Sequence, residues 1–244
     1  MIKKFLLSVF MASLMLSVQF SFTGCEDNDD SGPDVSGSAD QFAATNDYNV
    51  NARIINFGGL YTCADIEVTK DGSVVEDALV LVNTDTIPYD FTGLYQTSLT
   101  EAGSYDLTIT HDGNLIASGA GVTIPESIPV ITNLDSGDVH QKESDLTVEW
   151  NSVSNVTSWQ VTSAVSGSQA YESVLLPLDA RSHIIPGSYF LPGTHDIQVN
   201  AINGLYPGDD NALSNPEVGY AIEGPKGYFM GIAQSDPTEI IVND

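Results

Sequence analysis

Basic residues are scarce in this chain of 244 residues: seven Lys and Arg stand against 33 Asp and Glu. A nucleic-acid surface needs a stripe of cations to displace counterions from phosphates. Arg53, Lys70, Lys142, Arg181 and Lys226 are scattered instead, so DNA and RNA are excluded as partners. Cysteine is almost absent as well, with only Cys25 and Cys63. Four histidines occur, at 111, 140, 183 and 195, and no two share the His-x-x-x-His spacing of a helical zinc site. No Gly-rich phosphate loop and no Gly-x-Ser-x-Gly elbow is present. After residue 25 no stretch carries the 3.6-residue periodicity of an amphipathic helix. Carboxylates abound, but glycosidase chemistry needs two of them held about 5–10 Å apart in a cleft. Nothing in the sequence selects such a pair, and the expectation is a non-catalytic protein without cofactor or metal.

The N-terminus has the plan of an export signal: Met-Ile-Lys-Lys, an uncharged apolar run from Phe5 to Phe22, then Thr23-Gly24-Cys25. Phe22-Thr23-Gly24-Cys25 resembles the bacterial lipobox, with Phe22 in place of the usual Leu. That resemblance implies cleavage after residue 24, lipidation of Cys25, and a membrane held through lipid. Two or more acyl chains give stable anchoring, at about 0.8 kcal/mol per buried methylene. With Cys25 so used, Cys63 has no partner for an intramolecular disulfide; next to an alternating strand it reads as a small buried core residue. The acidic run Glu26-Asp27-Asn28-Asp29-Asp30 is similar to the stretch that follows the lipidated cysteine in surface lipoproteins of Bacteroidetes-type bacteria. The resemblance implies a location on the outer membrane, exposed at the cell surface. Asp27-x-Asp29-x-Ser31-Gly32 imitates the start of an EF-hand loop, but its twelfth position is Ser38 and no helical pattern flanks it.

Five segments follow from these patterns. Residues 1–24 are the signal peptide. Residues 25–47, rich in Asp, Asn, Ser and Gly, form an acidic tether. From Tyr48 the texture changes to short apolar alternations: Ile66/Val68, Leu79/Leu81, Leu107/Ile109, Leu146/Val148/Trp150 and Ile197/Val199/Ala201. Period-two alternation with turn residues every 8–12 positions or so predicts all-β sandwiches. Gly103-Ser-Tyr-Asp-Leu-Thr-Ile109 recurs 90 positions later as Gly193-Thr-His-Asp-Ile-Gln-Val199, the length of one Ig-like unit. Two tandem sandwiches with independent cores are expected, 48–126 and 127–224, with a Pro-rich joint at Pro125 and Pro129 and a C-terminal tail at 225–244.

The second unit carries the sharper likeness. Leu146-Thr-Val-Glu-Trp150, then Val153, Val156 and Trp159-Gln-Val161, resembles the opening strands of a fibronectin type III domain. It implies core positions for Trp150 and Trp159. His195 stands where that family carries the tyrosine of its corner. The first unit matches a generic Ig-like pattern, with Tyr105 at the corresponding place.

Aromatics near turns are the candidate ligand contacts: Tyr89, Phe91 and Tyr95 in the first unit, Tyr189 and Tyr206 in the second. Such rings stack on sugars or anchor protein interfaces. Asp85-Thr86-Ile87 is similar to a short O-glycosylation sequon of Bacteroidetes-type envelope proteins. The function expected is binding, adhesion or scaffolding with an unknown protein or glycan. The alternative is a glycan-binding accessory lipoprotein of an outer-membrane sugar-uptake system.

Overall fold

A computed structural model describes residues 47–90, 92–100, 103–165, 168–204 and 221–243. The alternation read from the sequence becomes strand. β1 (Tyr48–Phe57) and β2 (Tyr61–Lys70) form a long hairpin in register from Phe57↔Tyr61 to Tyr48↔Lys70. Tyr48, Val50, Ala52 and Ile54 face inward from β1, and Ala64, Ile66 and Val68 from β2. β3 (Ser73–Val74), β4 (Leu79–Val82), β5 (Asp85–Ile87), β6 (Tyr95–Leu99), β7 (Tyr105–His111) and β8 (Asn114–Val122) complete the first half. The turn between β7 and β8 is Asp112-Gly113, both at positive φ (52° and 77°), the geometry that Asp-Gly favours in a two-residue hairpin.

The second half comprises β9 (Asp138–Gln141), β10 (Leu146–Glu149), β11 (Ser158–Val165), β12 (Ser168–Glu172), β13 (Leu176–Pro177), β14 (Ser182–Ile185) and β15 (Gly193–Asn203). A 3-10 turn lies at Gly187–Tyr189. Trp150 and Trp159 are buried in one core, as the resemblance implied, with ring centroids 5.7 Å apart. The Trp159 indole N–H donates to the Leu178 carbonyl at 3.0 Å. His195 is fully buried and does the work of a corner tyrosine. Its Nε2–H donates to the Leu191 carbonyl at 2.8 Å, four residues upstream, and Ser163 Oγ–H donates to its Nδ1 at 3.0 Å.

Residues 225–244 are not the expected tail. Lys226–Gln234 is strand β16 and Thr238–Asn243 is strand β17. β16 runs parallel to β1 from Asn49↔Lys226 to Phe57↔Gln234, and antiparallel to β15 from Asn200↔Gln234 to Asn203↔Gly231. It thereby joins both halves into one eleven-stranded sheet, along the path β12-β11-β15-β16-β1-β2-β3. Two smaller sheets, β5-β4-β7-β8 and β10-β14, cover that sheet at its two ends. The result is two β-sandwiches with a strand in common. Since side chains alternate along a strand, Phe229, Gly231 and Ala233 share one face of β16. Phe229 enters the first core and Ala233 the second. The connection from β8 crosses between them, where Ile124 packs against both cores.

β16 escaped the sequence reading because it is buried on both faces. A strand of that kind reads as a continuous apolar run, without alternation.

Candidate functional surface

Among the described residues, the second sandwich has an open side where β12, at the edge of the large sheet, meets β14 of the small one. Three side chains gather there. Tyr171 of β12 and His183 of β14 lie with rings nearly parallel, centroids 5.9 Å apart. Tyr189, on the 3-10 turn, packs edge-on to Tyr171 at 4.8 Å. Tyr171 Oη is 2.6 Å from His183 Nε2. Burial lowers the proton affinity of His183, which favours the neutral imidazole. Burial, and then Tyr189, raises the Tyr171 phenol above its ordinary range. Both groups are held neutral.

Tyr189 is 47% exposed, and Leu178, Ile184 and Leu191 nearby in sequence are also exposed. A half-exposed aromatic pair buttressed by a neutral imidazole offers flat apolar area, and order in the three rings costs little entropy. It can stack or anchor.

Of the residues expected to contact ligand, Tyr189 alone among the described ones belongs to this surface. Tyr89 is half-buried and packs against the first core, its ring 5.3 Å from that of Tyr95. Tyr95 requires correction. It is 1% exposed, its hydroxyl donates to the Val75 carbonyl at 2.9 Å, and it accepts from the Ala78 N–H at 2.8 Å. The phenol ties down the β3–β4 connection and cannot meet a ligand. Phe91, Tyr206 and the lipidation residue Cys25 lie outside the described residues. Thr86 is exposed on the edge strand β5. Tyr171 and His183 were missed. Their meeting depends on the pairing of two edges from opposite sheets, which leaves no local signature.

Cys63 is buried, and burial followed by the Asp65 carboxylate pushes its thiol up to about 12, only partly offset by Arg53. A thiol so far from ionisation is no nucleophile. Arg53 pairs with Asp65 at 2.9 Å. Burial would strip its proton more readily, but Asp65, Tyr228 and Glu67 outweigh that and hold the guanidinium above its ordinary range. Among the described residues, Asp77, His111 and Asp112 form a group able to hold a metal ion, and no helix is long and apolar enough to cross a membrane.

No family model and no curated protein matches this sequence. Among solved structures, the chain is similar to the fibronectin(III)-like modules of Clostridium thermocellum CbhA. The likeness is 13% in identity with a TM-score of 0.28, and it covers 47% of this chain and 94% of that one.

Proposed function

We propose that this chain is a non-catalytic binding module of the bacterial cell envelope. It is anchored by lipid on Cys25 in the outer membrane and holds its partner through the open side of the second sandwich. The observation that carries the binding role is the Tyr171–His183–Tyr189 surface, where the exposed Tyr189 ring is propped on a half-buried hydrogen-bonded pair. Lipid anchoring rests on Gly24-Cys25 after the apolar run, and the acidic tether sets the sandwiches away from the bilayer.

A glycan partner is the second reading, favoured by the near-parallel Tyr171 and His183 rings beside Tyr189, since flat apolar area suits a sugar face. A glycan array and an array of surface proteins, each probed with the full chain and with Tyr189→Ala, test the two readings. Sugar binding that falls at least tenfold in the variant supports the glycan reading. Binding to a surface protein that Tyr189→Ala weakens supports the adhesion reading. If neither kind of partner notices the substitution, the surface is misassigned. Cys25→Ser tests the anchor: the variant should leave the membrane fraction or remain unprocessed, and maturation with wild-type partitioning would overturn it.

A further inference from the structure

At the far end of the first sandwich, the ligand atoms of Asp77, His111 and Asp112 all lie within 4.8 Å of one another. Asp77 belongs to the connection between β3 and β4; His111 ends β7, and Asp112 opens the turn into β8. His111 Nε2 is 3.1 Å from Asp77 Oδ1, and its Nδ1 is 3.9 Å from Asp112 Oδ2. Both carboxylates are well exposed, whereas the imidazole is 12% exposed. The carboxylates can swing, and the ring cannot.

The ring is fixed from behind. Tyr48 is buried in the first core, and its Oη is 2.7 Å from His111 Nδ1, with the two rings edge-on at 5.9 Å. A metal-bound imidazole commonly donates its other N–H to an oxygen of this kind, which sets the tautomer and aims the ligating nitrogen. Here Nε2–H donates to Asp77 Oδ1; an ion would take the place of that hydrogen, with Nδ1–H then donating to Tyr48 Oη. An imidazole nitrogen and a carboxylate oxygen that share one ion, each at about 2.0–2.2 Å, stand roughly as far apart as Nε2 and Oδ1 do here. An imidazole with two carboxylates is a donor set for zinc-like ions. Calcium and magnesium prefer oxygen alone.

We propose that Asp77, His111 and Asp112 bind one zinc-class divalent cation. His111 Nε2 and one oxygen from each aspartate are the ligands, and water completes the shell. The ion would clip the β3–β4 connection to the β7–β8 hairpin. This site is separate from the aromatic surface and does not depend on the function proposed for it. A cation opposes it: the Lys70 amine lies 5.1 Å from the centre of the Tyr48 ring and interacts first with the Tyr48 hydroxyl, then with Asp71 and Asp112.

The test is calorimetric titration of zinc chloride into the full chain at physiological ionic strength. Calcium is kept in large excess to occupy the other carboxylates. One zinc equivalent should bind. His111→Ala and Asp77→Asn should each weaken it at least tenfold, and His140→Ala should leave it unchanged. Lys70→Met should tighten binding several-fold by removing a like charge, a change that a merely structural His111 would not produce. Imidazole nitrogen NMR on the unaltered chain gives a readout independent of any variant: zinc should shift Nε2 of His111. Zinc affinity no greater than that for calcium, affinity unchanged by His111→Ala, or an unmoved His111 signal would overturn the assignment.

Discussion

Gly231 passes so close beneath Thr123 that a Cβ built on it would stand 2.1 Å from the Thr123 carbonyl oxygen. The strand shared by both sandwiches and the connection between them touch here backbone to backbone. A methyl group at 231 would meet a carbonyl, not a side chain able to rotate away. Gly231→Ala should therefore cost at least the ~1–3 kcal/mol of ordinary overpacking. The midpoint of urea unfolding should fall, and hydrogen exchange should quicken in β1 and β15 alike. Unchanged exchange in either strand would show that the crossing relaxes without disturbing that side.

A common strand couples the two cores, where the repeat pattern alone suggested independence. Trp159→Ala removes a fully buried indole, a loss of about 3–5 kcal/mol. The expected outcome is one unfolding transition, shifted for both sandwiches. Deletion of residues 225–244 should go further and leave neither core protected against limited proteolysis. A protease-resistant first sandwich in that deletion would mean β16 is dispensable to it.

Acid should weaken the second sandwich through His183. Burial sets its proton affinity below the ordinary value of 6.5. A base depressed in the folded state contributes its full share of stability above that value. The share is lost as pH falls, because the unfolded chain takes up the proton first. His183→Gln should flatten the decline of melting temperature between about pH 7 and about pH 5. A variant that declines as steeply as the parent would remove His183 from the explanation.

Asp196 and Glu239 face each other across β15 and β17. Burial first, and Glu239 second, raise the Asp196 carboxyl, with His195 opposing. An acid raised in the folded state destabilises it while ionised, and the penalty fades as pH drops through the carboxylate range. Asp196→Asn should stabilise the protein at neutral pH by the few tenths of a kcal/mol typical of like charges paired across strands. The gain should vanish near pH 4 or so. A gain that persists in acid would point to packing instead of charge.

Salt should help the whole molecule. With 33 acids against seven bases, self-repulsion opposes the compact state and is screened beyond roughly 8 Å at physiological ionic strength. Melting temperature should climb from low to high salt; a flat profile would argue that the acids are too dispersed to matter.

Much of the architecture is local and therefore legible in the residues alone. Alternation made β7, β10 and β15 recognisable, since each buries one face along most of its length. Asp112-Gly113 announced its own hairpin, because few other residues tolerate positive φ twice in succession. Trp150, Trp159 and His195 could be placed by resemblance because the start of a fibronectin-type sandwich and its corner are short, contiguous patterns. Tertiary structure decided everything that depends on pairing across distance. Tyr95 and Tyr189 look alike as aromatics beside turns, yet one props a loop from inside and the other faces solvent. Tyr171 finds His183, and Asp77 finds His111, only once edges and connections from different strands are brought together. Most of all, nothing in Lys226–Gln234 says that it lies beside β1 and β15 at once. Period and turn chemistry are properties of neighbours in the chain. The choice of partner strand is set by which apolar surfaces remain uncovered after the rest has folded.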